Sequence, residues 1–402
     1  MQAVILVAGK STRTYPLTLT RPKPLLPIAD QTIIEFLLEQ LRGIVSEVIL
    51  VVGYRQEMIR DTLKEQWKDI RIRYCEQQEQ LGTGHAVLMA EPLVQDRFLV
   101  MNGDDIYHRN DIEQLSRYQY AALVRYEEDP SQFGVYQVDE RNRVIDLIEK
   151  PETFVGNLAN IGCYCFDRTI FEYIKNTPLS KRGEIEITTS ILNLARDHDF
   201  YVHPIQGFWF ATGFPWDLLH SQAFFMNQWT SSQIKGIIEP NVQINGPVIV
   251  EEGARIKSGT YLEGPVIIKR NSIIGPNSFI RACTSIGANC VIGHNVEIKN
   301  SIIMDRTYIC HLSYVGDSIV GENVNLGAGF VSANVRHDGK TVLSQVKGKL
   351  VDTKLKKLGA IIADNVKTGV NTVVYPGRKI WPGLWTQIGQ IVKHDLIDEE
   401  RS

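Results

Sequence analysis

From residue 1 to about 225, short apolar runs alternate with amphipathic segments. The runs AVILV (3–7), SEVILVVG (46–53) and RFLVMNGDD (97–105) are nearly continuous in branched aliphatic residues, whereas TIIEFLLEQLRGI (32–44) and QEMIRDTLKEQW (56–67) space their apolar residues three and four apart. Strands that do not alternate are buried on both faces. The pattern therefore predicts a mostly parallel, Rossmann-like α/β sheet covered by helices. Ligands of such sheets bind beyond the carboxyl ends of the strands, where both the loop LVAGKSTRTYPLT (6–18) and the pair Asp104-Asp105 fall.

After about residue 235 the period changes to six. Ile238, Ile244, Val250, Ile256, Leu262, Ile268, Ile274, Ile280, Ile286, Ile292 and Ile298 form an unbroken aliphatic series, with Gly, Asn and Pro between. A repeat of this length is one short strand plus a tight turn, and three repeats complete a coil of a triangular parallel β-helix. Each aliphatic is expected to point inward and stack on its counterpart one coil away. The register slips near Ile303 and returns around Ile362, Val374 and Ile380. Between Val335 and Leu358 it is lost, and that stretch reads as an exposed, lysine-rich excursion. The change of period divides the chain into domains 1–230 and 231–402.

With 44% hydrophobic and 22% charged residues in 402, the chain has ample material for two cores. A net charge of −3 supplies no global attraction to nucleic acid or anionic membrane, so anion binding has to be local. Six cysteines without a CxxC pair, and no apolar run near the roughly 18 residues of a membrane span, suggest a cytoplasmic protein.

The chemistry sits in the loops. At the first strand-to-helix turn, the loop's backbone amides can cradle phosphates, with Arg13 and Lys23 adding charge; an ordinary βα loop has the same local pattern. QQEQLGTGHA (77–86) brings two glycines beside a threonine, which lets backbone approach a flat ligand, and Gln77 can read a base edge. Asp104, at the end of a strand, suits Mg²⁺, which uses one or two carboxylates plus phosphate oxygens; a turn or helix cap is the alternative.

Together with FGVYQVD (133–139), IEKPE (148–152), ANIGCYCF (159–166) and GEIEITTSI (183–191), these segments resemble the sugar-1-phosphate nucleotidylyltransferases in order and spacing. The resemblance implies Ala8, Gly9, Arg13 and Lys23 around the triphosphate, Gln77, Gly82 and Thr83 on the base, and Asp104 on Mg²⁺. It further implies Gly134, Glu149 and Asn160 on the sugar, with Lys150 near its phosphate. The base (thymine, uracil or another) and the sugar stay open. Two departures stand out: Ser11 replaces the family's second loop glycine, and Ala211 stands where a carboxylate ligand is expected in Trp209–Gly213. They leave open a weakened or inactive first domain, or a non-catalytic sugar-nucleotide sensor.

The segment CHLSYVGDSIVGENVNLGAGFVSANVRHDGK (310–340) resembles the acetyltransferase end of bifunctional amino-sugar-1-phosphate enzymes. That resemblance implies a left-handed β-helix, with His311 as general base toward acetyl-coenzyme A and Tyr314, Asn325, Asn334 and Lys340 positioning the substrates. By analogy it also implies a homotrimer. The excursion's lysines then have a candidate partner in the phosphates of coenzyme A. Without the β-helix chemistry, the repeat would serve as a spacer or assembly module.

Overall fold

The computed structural model describes residues 1–398, which pack as two units. One comprises Met1–Lys10 and Ile33–Ala211; the other comprises Ser11–Thr32 and the chain from Thr212 onward. The period changes near residue 231, but packing groups the chain differently, because the opening loop and the helix Asp217–Met226 find their partners in the repeat. Ala29 and Met226 are buried against Ile267. Gln222 donates to the carbonyls of Cys283 and Ser301 at 2.8 and 3.2 Å and accepts from the Ala29 N–H at 3.1 Å.

In the first unit a sheet runs in the order Val144–Glu149, Gly134–Val138, Leu158–Phe166, Phe98–Asn102, Gln2–Leu6, Glu47–Val52, Ile70–Glu76, Gln66–Trp67. Its centre is parallel: Gln2–Leu6 pairs in parallel with Glu47–Val52 on one side and Phe98–Asn102 on the other. The chain first builds outward on one side and then crosses to the other. A topological switch point therefore lies between the carboxyl ends of Gln2–Leu6 and Phe98–Asn102, the place where sheets of this kind bind ligands.

The Rossmann-like sheet is the one expected, and its far side adds antiparallel pairings. Leu158–Phe166 runs antiparallel to Phe98–Asn102 and Gly134–Val138 runs antiparallel to both its neighbours, because short connections such as the turn between Val138 and Val144 can join only antiparallel strands. One expectation needs correcting. The helix expected over 56–67 is Gln56–Leu63 and stops at Lys64, whose φ of 54° is left-handed; Gln66–Trp67 then forms a strand against Ile70–Glu76.

The second unit is the left-handed parallel β-helix. Its three faces hold strand ladders such as Val248–Val250, Val266–Ile268 and Thr284–Ile286, all paired in parallel. Val250, Ile256, Leu262, Ile268 and every sixth residue on to Ile298 are fully buried. Ile244, by contrast, is 36% exposed and Ile238 only partly buried, because no coil precedes theirs. The slip near Ile303 has a simple cause: Ile268 pairs with Ile286, 18 positions on, but Ile286 pairs with Ile303 and Ile303 with Val320, 17 positions on. Each of these coils is one residue shorter. The turns take left-handed backbone at Asn271, Asn277, Asn289 and Asn295, a conformation asparagine tolerates better than most residues.

The excursion is a folded arm. Leu343–Val346 and Lys349–Asp352 pair antiparallel across Lys347 and Gly348, both at positive φ (49° and 77°), as a two-residue hairpin turn requires. Val342, Ser344, Thr353 and Leu358 are buried, and the Ser344 hydroxyl donates to the Gly377 carbonyl at 2.8 Å. The exposure expected from composition holds for the lysines at 340, 347, 349, 354, 356 and 357 and for Leu350 at the hairpin, but not for the arm's inner side. Among the described residues no helix is long and apolar enough to cross a membrane.

The aliphatic column makes a direct forecast. Ile292→Ala, fully buried in the repeat, should lower unfolding free energy by about 2–5 kcal/mol in urea denaturation. Ile244→Ala, at the open first coil, should cost less than about 1 kcal/mol.

Candidate active sites

In the first unit the switch point is built from two adjoining turns. The Gly103 N–H donates to the Leu6 carbonyl at 3.0 Å, and a Cβ on Gly103 would run into the Val7 side chain, so the turns after both strands abut. The Ala8 carbonyl is already occupied, accepting from the Tyr54 N–H at 3.0 Å and from Gln80 Nε2 at 2.8 Å. Gly9 is exposed, and a Cβ there would meet no atom within 4 Å, so packing alone does not call for glycine at this position.

Gln77, Gly82 and Thr83 are brought together. Gln77, 5% exposed, donates through Nε2 to the Gly82 carbonyl and shares a hydrogen bond with His85 Nδ1, both at 3.1 Å. Gly82 has φ 98°, and a Cβ would stand 2.8 Å from the Ile185 carbonyl. The cause is a close approach of two segments: the Gly84 N–H donates to the Ile185 carbonyl at 2.8 Å and the Ile185 N–H to the Leu81 carbonyl at 2.7 Å. Thr83 Oγ1 accepts from the Ile187 N–H at 3.3 Å.

Asp104 is half-buried beyond Phe98–Asn102. Asp105 is 6% exposed and accepts from Asn102 Nδ2 and the Tyr107 hydroxyl, both at 3.3 Å. Ala211 lies directly opposite Asp105 in the two-stranded ribbon of Trp209–Ala211 and Asp105–Tyr107. No cluster of three or more His, Cys, Asp or Glu poised for a metal occurs among the described residues. The carboxylates of Asp104 and Asp105 are of the chemical kind that Mg²⁺ takes together with phosphate oxygens.

Gly134, Glu149 and Asn160 also converge. Gly134 and Glu149 are register partners, and a Cβ on Gly134 would come within 3.0 Å of Glu149 Oε2, 3.3 Å of Thr188 Cγ2 and 3.5 Å of Asn160 Cβ. Asn160 Nδ2 donates to the Tyr164 hydroxyl at 2.8 Å. Burial, and then the nearby Glu186, push the Glu149 carboxyl up, while Lys150 and Arg182 pull it down. Lys150 is exposed with φ 46°, its N–H on the Phe133 carbonyl at 2.9 Å. Arg182 and Thr188 were not anticipated. Arg182 bridges Glu186 at 2.6 Å and Glu149 at 3.4 Å, and the buried Thr188 hydroxyl has no partner. GEIEITTSI contains Thr188 but offered no local signal, since Thr188 sits on the helix Ile187–Asp197 and its neighbours here come from three strands.

In the second unit the opening loop is internally braced. Ser11 has φ 52°, the left-handed region where glycine is usual, and its carbonyl accepts from the Thr14 and Thr18 hydroxyls at 2.7 and 2.9 Å. The departure at position 11 thus keeps glycine's backbone conformation at the cost of strain. Arg13 is exposed, its guanidinium 5.7 Å from the centroid of Phe214, which stacks on Trp216 at 4.7 Å. Lys23 is 4% exposed and donates to the Thr212 carbonyl at 2.6 Å. Burial pushes the nearby Asp217 carboxyl up to about 6, against the pull of amide donors from Phe214 and Gly213 and of the Lys23 and Arg13 charges.

The acetyl-transfer candidates are spread over two faces of the repeat and the arm. His311 is exposed, pairs in register with His294 one coil earlier, and its carbonyl accepts from the Gly329 N–H at 3.2 Å. The Tyr314 hydroxyl accepts from Asn334 Nδ2 at 3.1 Å, and the same nitrogen donates to Asp317 Oδ2 at 2.5 Å. Asp317, 3% exposed, also accepts from Asn300 at 2.8 Å and Lys299 at 3.3 Å; it is the hub that the sequence reading left without a role. Asn325 lies on the same face as His311, the register partner of Tyr308 one coil on, and Lys340 on the arm, its N–H on Asp338 at 3.2 Å. Beneath the arm is a cavity of about 890 Å³ lined by Val335, Arg336, His337, Leu350, Tyr375 and Arg378, among others.

Two outcomes follow from the opening loop. Ser11→Gly should relieve left-handed strain and raise stability by about 1 kcal/mol without loss of pyrophosphate release, read by thermal denaturation and steady-state assay. Asp217 has a folded pKa above its unfolded value, so its contribution is present below about pH 4 and lost as pH rises to about 6. Relative to Asp217→Asn, the wild-type chain should therefore lose roughly 3 kcal/mol across that window, measured by urea denaturation at each pH.

Comparison with known proteins agrees with this geometry. Residues 2–228 match the family model described as nucleotidyl transferase, and 262–382 the one described as GMPPB C-terminal domain. A protein named bifunctional protein GlmU from Methanocaldococcus jannaschii is 43% identical over 98% of this chain and 96% of its own length. The bifunctional sugar-1-phosphate nucleotidylyltransferase/acetyltransferase of Sulfurisphaera tokodaii is 39% identical over 98% of each. Among solved structures, a UDP-glucose pyrophosphorylase complexed with UDP-glucose shares the fold of 56% of this chain and 97% of its own (TM-score 0.52, 24% identity). A putative glucose-1-phosphate thymidylyltransferase from Bacillus anthracis matches over 56% and 95% (TM-score 0.51, 27% identity). With both halves matched in order and relatives aligned from end to end, the chain belongs to the family of bifunctional sugar-1-phosphate nucleotidylyltransferase/acetyltransferases.

Proposed function

We propose that this chain carries out two transfers on sugar phosphates. In the first, a sugar-1-phosphate oxygen attacks the α-phosphorus of dTTP or UTP; a P–O bond forms to the sugar phosphate, and pyrophosphate leaves with the electrons of the broken bond. Positioning and charge neutralisation dominate such a reaction. Arg13 and Lys23 offset charge on the triphosphate, and backbone at Ala8 and Gly9 receives it. Gln77, Gly82 and Thr83 face the base, Gly134, Glu149 and Asn160 hold the sugar with Thr188 beside them, and Lys150 meets its phosphate. Asp104 would hold Mg²⁺, which would supply charge neutralisation for the triphosphate.

The observation that carries this reading is the abutment of the turns after Gln2–Leu6 and Phe98–Asn102 at the switch point. A decayed first domain is disfavoured by two features. Ser11 adopts the backbone conformation glycine would take, and Asp105 stands opposite Ala211, where side chains of register partners are about 5 Å apart.

In the second transfer, His311 accepts a proton as the amine of an amino-sugar-1-phosphate attacks the acetyl carbonyl of acetyl-coenzyme A; a C–N bond forms and the thiolate leaves. A histidine ring nitrogen can accept that proton. Tyr314, Asn325, Asn334 and Lys340 orient the reactants, and the lysines of the arm meet coenzyme A phosphates. A homotrimer in the cytoplasm completes the reading. Its support is the corner that carries His311, where Leu312, Val370 and Ile388 are exposed at 64%, 41% and 79%.

The tests separate the two reactions. Asp104→Asn should reduce pyrophosphate release at least about 100-fold and leave acetyl transfer intact. His311→Ala should reduce acetyl transfer to glucosamine-1-phosphate by about 100-fold or more with unchanged pyrophosphate release. A matrix of triphosphates against sugar-1-phosphates identifies the preferred pair, and no product from any pair would refute the first transfer.

A further inference from the structure

The opening loop 11–32 packs with the β-helix, and the contacts that fasten it are charged and buried. Arg21 Nη2 meets Asp364 Oδ2 at 2.7 Å and Glu322 Oε2 at 2.9 Å, with the arginine side chain 12% exposed. The Thr20 hydroxyl donates to the same Asp364 oxygen at 2.7 Å. Lys379, 1% exposed, donates to the Tyr15 carbonyl at 3.0 Å. Glu322 is itself held by Arg306 at 2.5 Å.

The two carboxylates occupy corresponding turns of successive coils, two residues after the register partners Val320 and Ile362. Closing a coil does not require an acid there, because the corresponding residue after Ile286 is Ala288. Asp364 Oδ1 does serve the coil, accepting from the Glu322 N–H at 2.7 Å. Its other oxygen is given over to Thr20 and Arg21. A buried ion pair with both partners in place fixes geometry more surely than it adds stability.

The fastened positions, Tyr15, Thr20 and Arg21, fall between Arg13 and Lys23. We propose that Arg21 is a positioning residue for nucleotidyl transfer: through Asp364 and Glu322, the β-helix holds the opening loop in the conformation that presents Arg13 and Lys23. The repeat thereby serves the first reaction as well as its own. Arg21 itself touches no substrate. This inference rests on the nucleotidyl-transfer reading above.

The test uses the full-length chain with Arg21→Ala, Arg21→Lys, Asp364→Asn and the Arg21→Ala/Asp364→Asn double variant. Each is measured for kcat and KM of pyrophosphate release, for acetyl transfer in the same preparation, and for thermal midpoint. Arg21→Ala is expected to lose about 10- to 100-fold in kcat/KM for pyrophosphate release, with acetyl transfer within about twofold of wild type. Arg21→Lys, which keeps a charge able to reach one carboxylate, should recover part of the loss. Asp364→Asn keeps the bond to the Glu322 N–H but loses the charge, and the double variant should be no worse than the more severe single one. Pyrophosphate release within about twofold of wild type in Arg21→Ala, or equal falls in both activities across the single variants, would overturn the positioning role. A wild-type chain that releases no pyrophosphate would instead sink the reading beneath it.

Discussion

The second half of this protein depends on one constraint: a coil of three short strands has no interior of its own. Its inward aliphatics leave water only when another coil stacks on them. The fully buried series from Val250 to Ile298 meets that condition, and Ile244, in the first coil, shows what happens where stacking ends. Parallel ladders on three faces then give a rigid shaft, and every turn side chain takes a set height along it. That is how Tyr314 and Asn334, twenty residues apart, come to share a hydrogen bond, and how Glu322 and Asp364 stand close enough to grip the same arginine.

The first unit uses a different constraint. A parallel centre leaves strand ends pointing the same way, and the reversal of strand order beside Gln2–Leu6 opens the edge where Gly9 and Asp104 emerge. Packing demands glycine at two positions. Gly103 lies against Val7, and Gly82 is forced by the backbone of Ile185. At position 11 the chain accepts left-handed serine and offsets it with two threonine hydroxyls on one carbonyl. Strain of this kind persists only where surrounding contacts over-determine the conformation.

Much of this was legible in advance. The six-residue period, the strand-helix alternation and the motif segments are local patterns, and local patterns survive in a linear text. The sequence reading placed Gln77 with Gly82 and Thr83, and Gly134 with Glu149 and Asn160, in groups that do come together. It missed Arg182, Thr188 and Asp317, because each is defined by neighbours on other strands or another coil. It also took the arm for an exposed excursion, since its alternation of Val342, Ser344 and Val346 is brief and its lysines dominate the composition.

By itself, then, the sequence determined the two architectures and the chemical kinds of residue at each site, because periodicity and motif spacing are properties of neighbours along the chain. Tertiary structure decided three other things: which unit the opening loop joins, which carboxylate stands opposite Ala211, and which buried groups surround Glu149 and Tyr314. Those depend on strand register and coil length, where removing one residue moves every later contact by one place, and no local pattern records the sum.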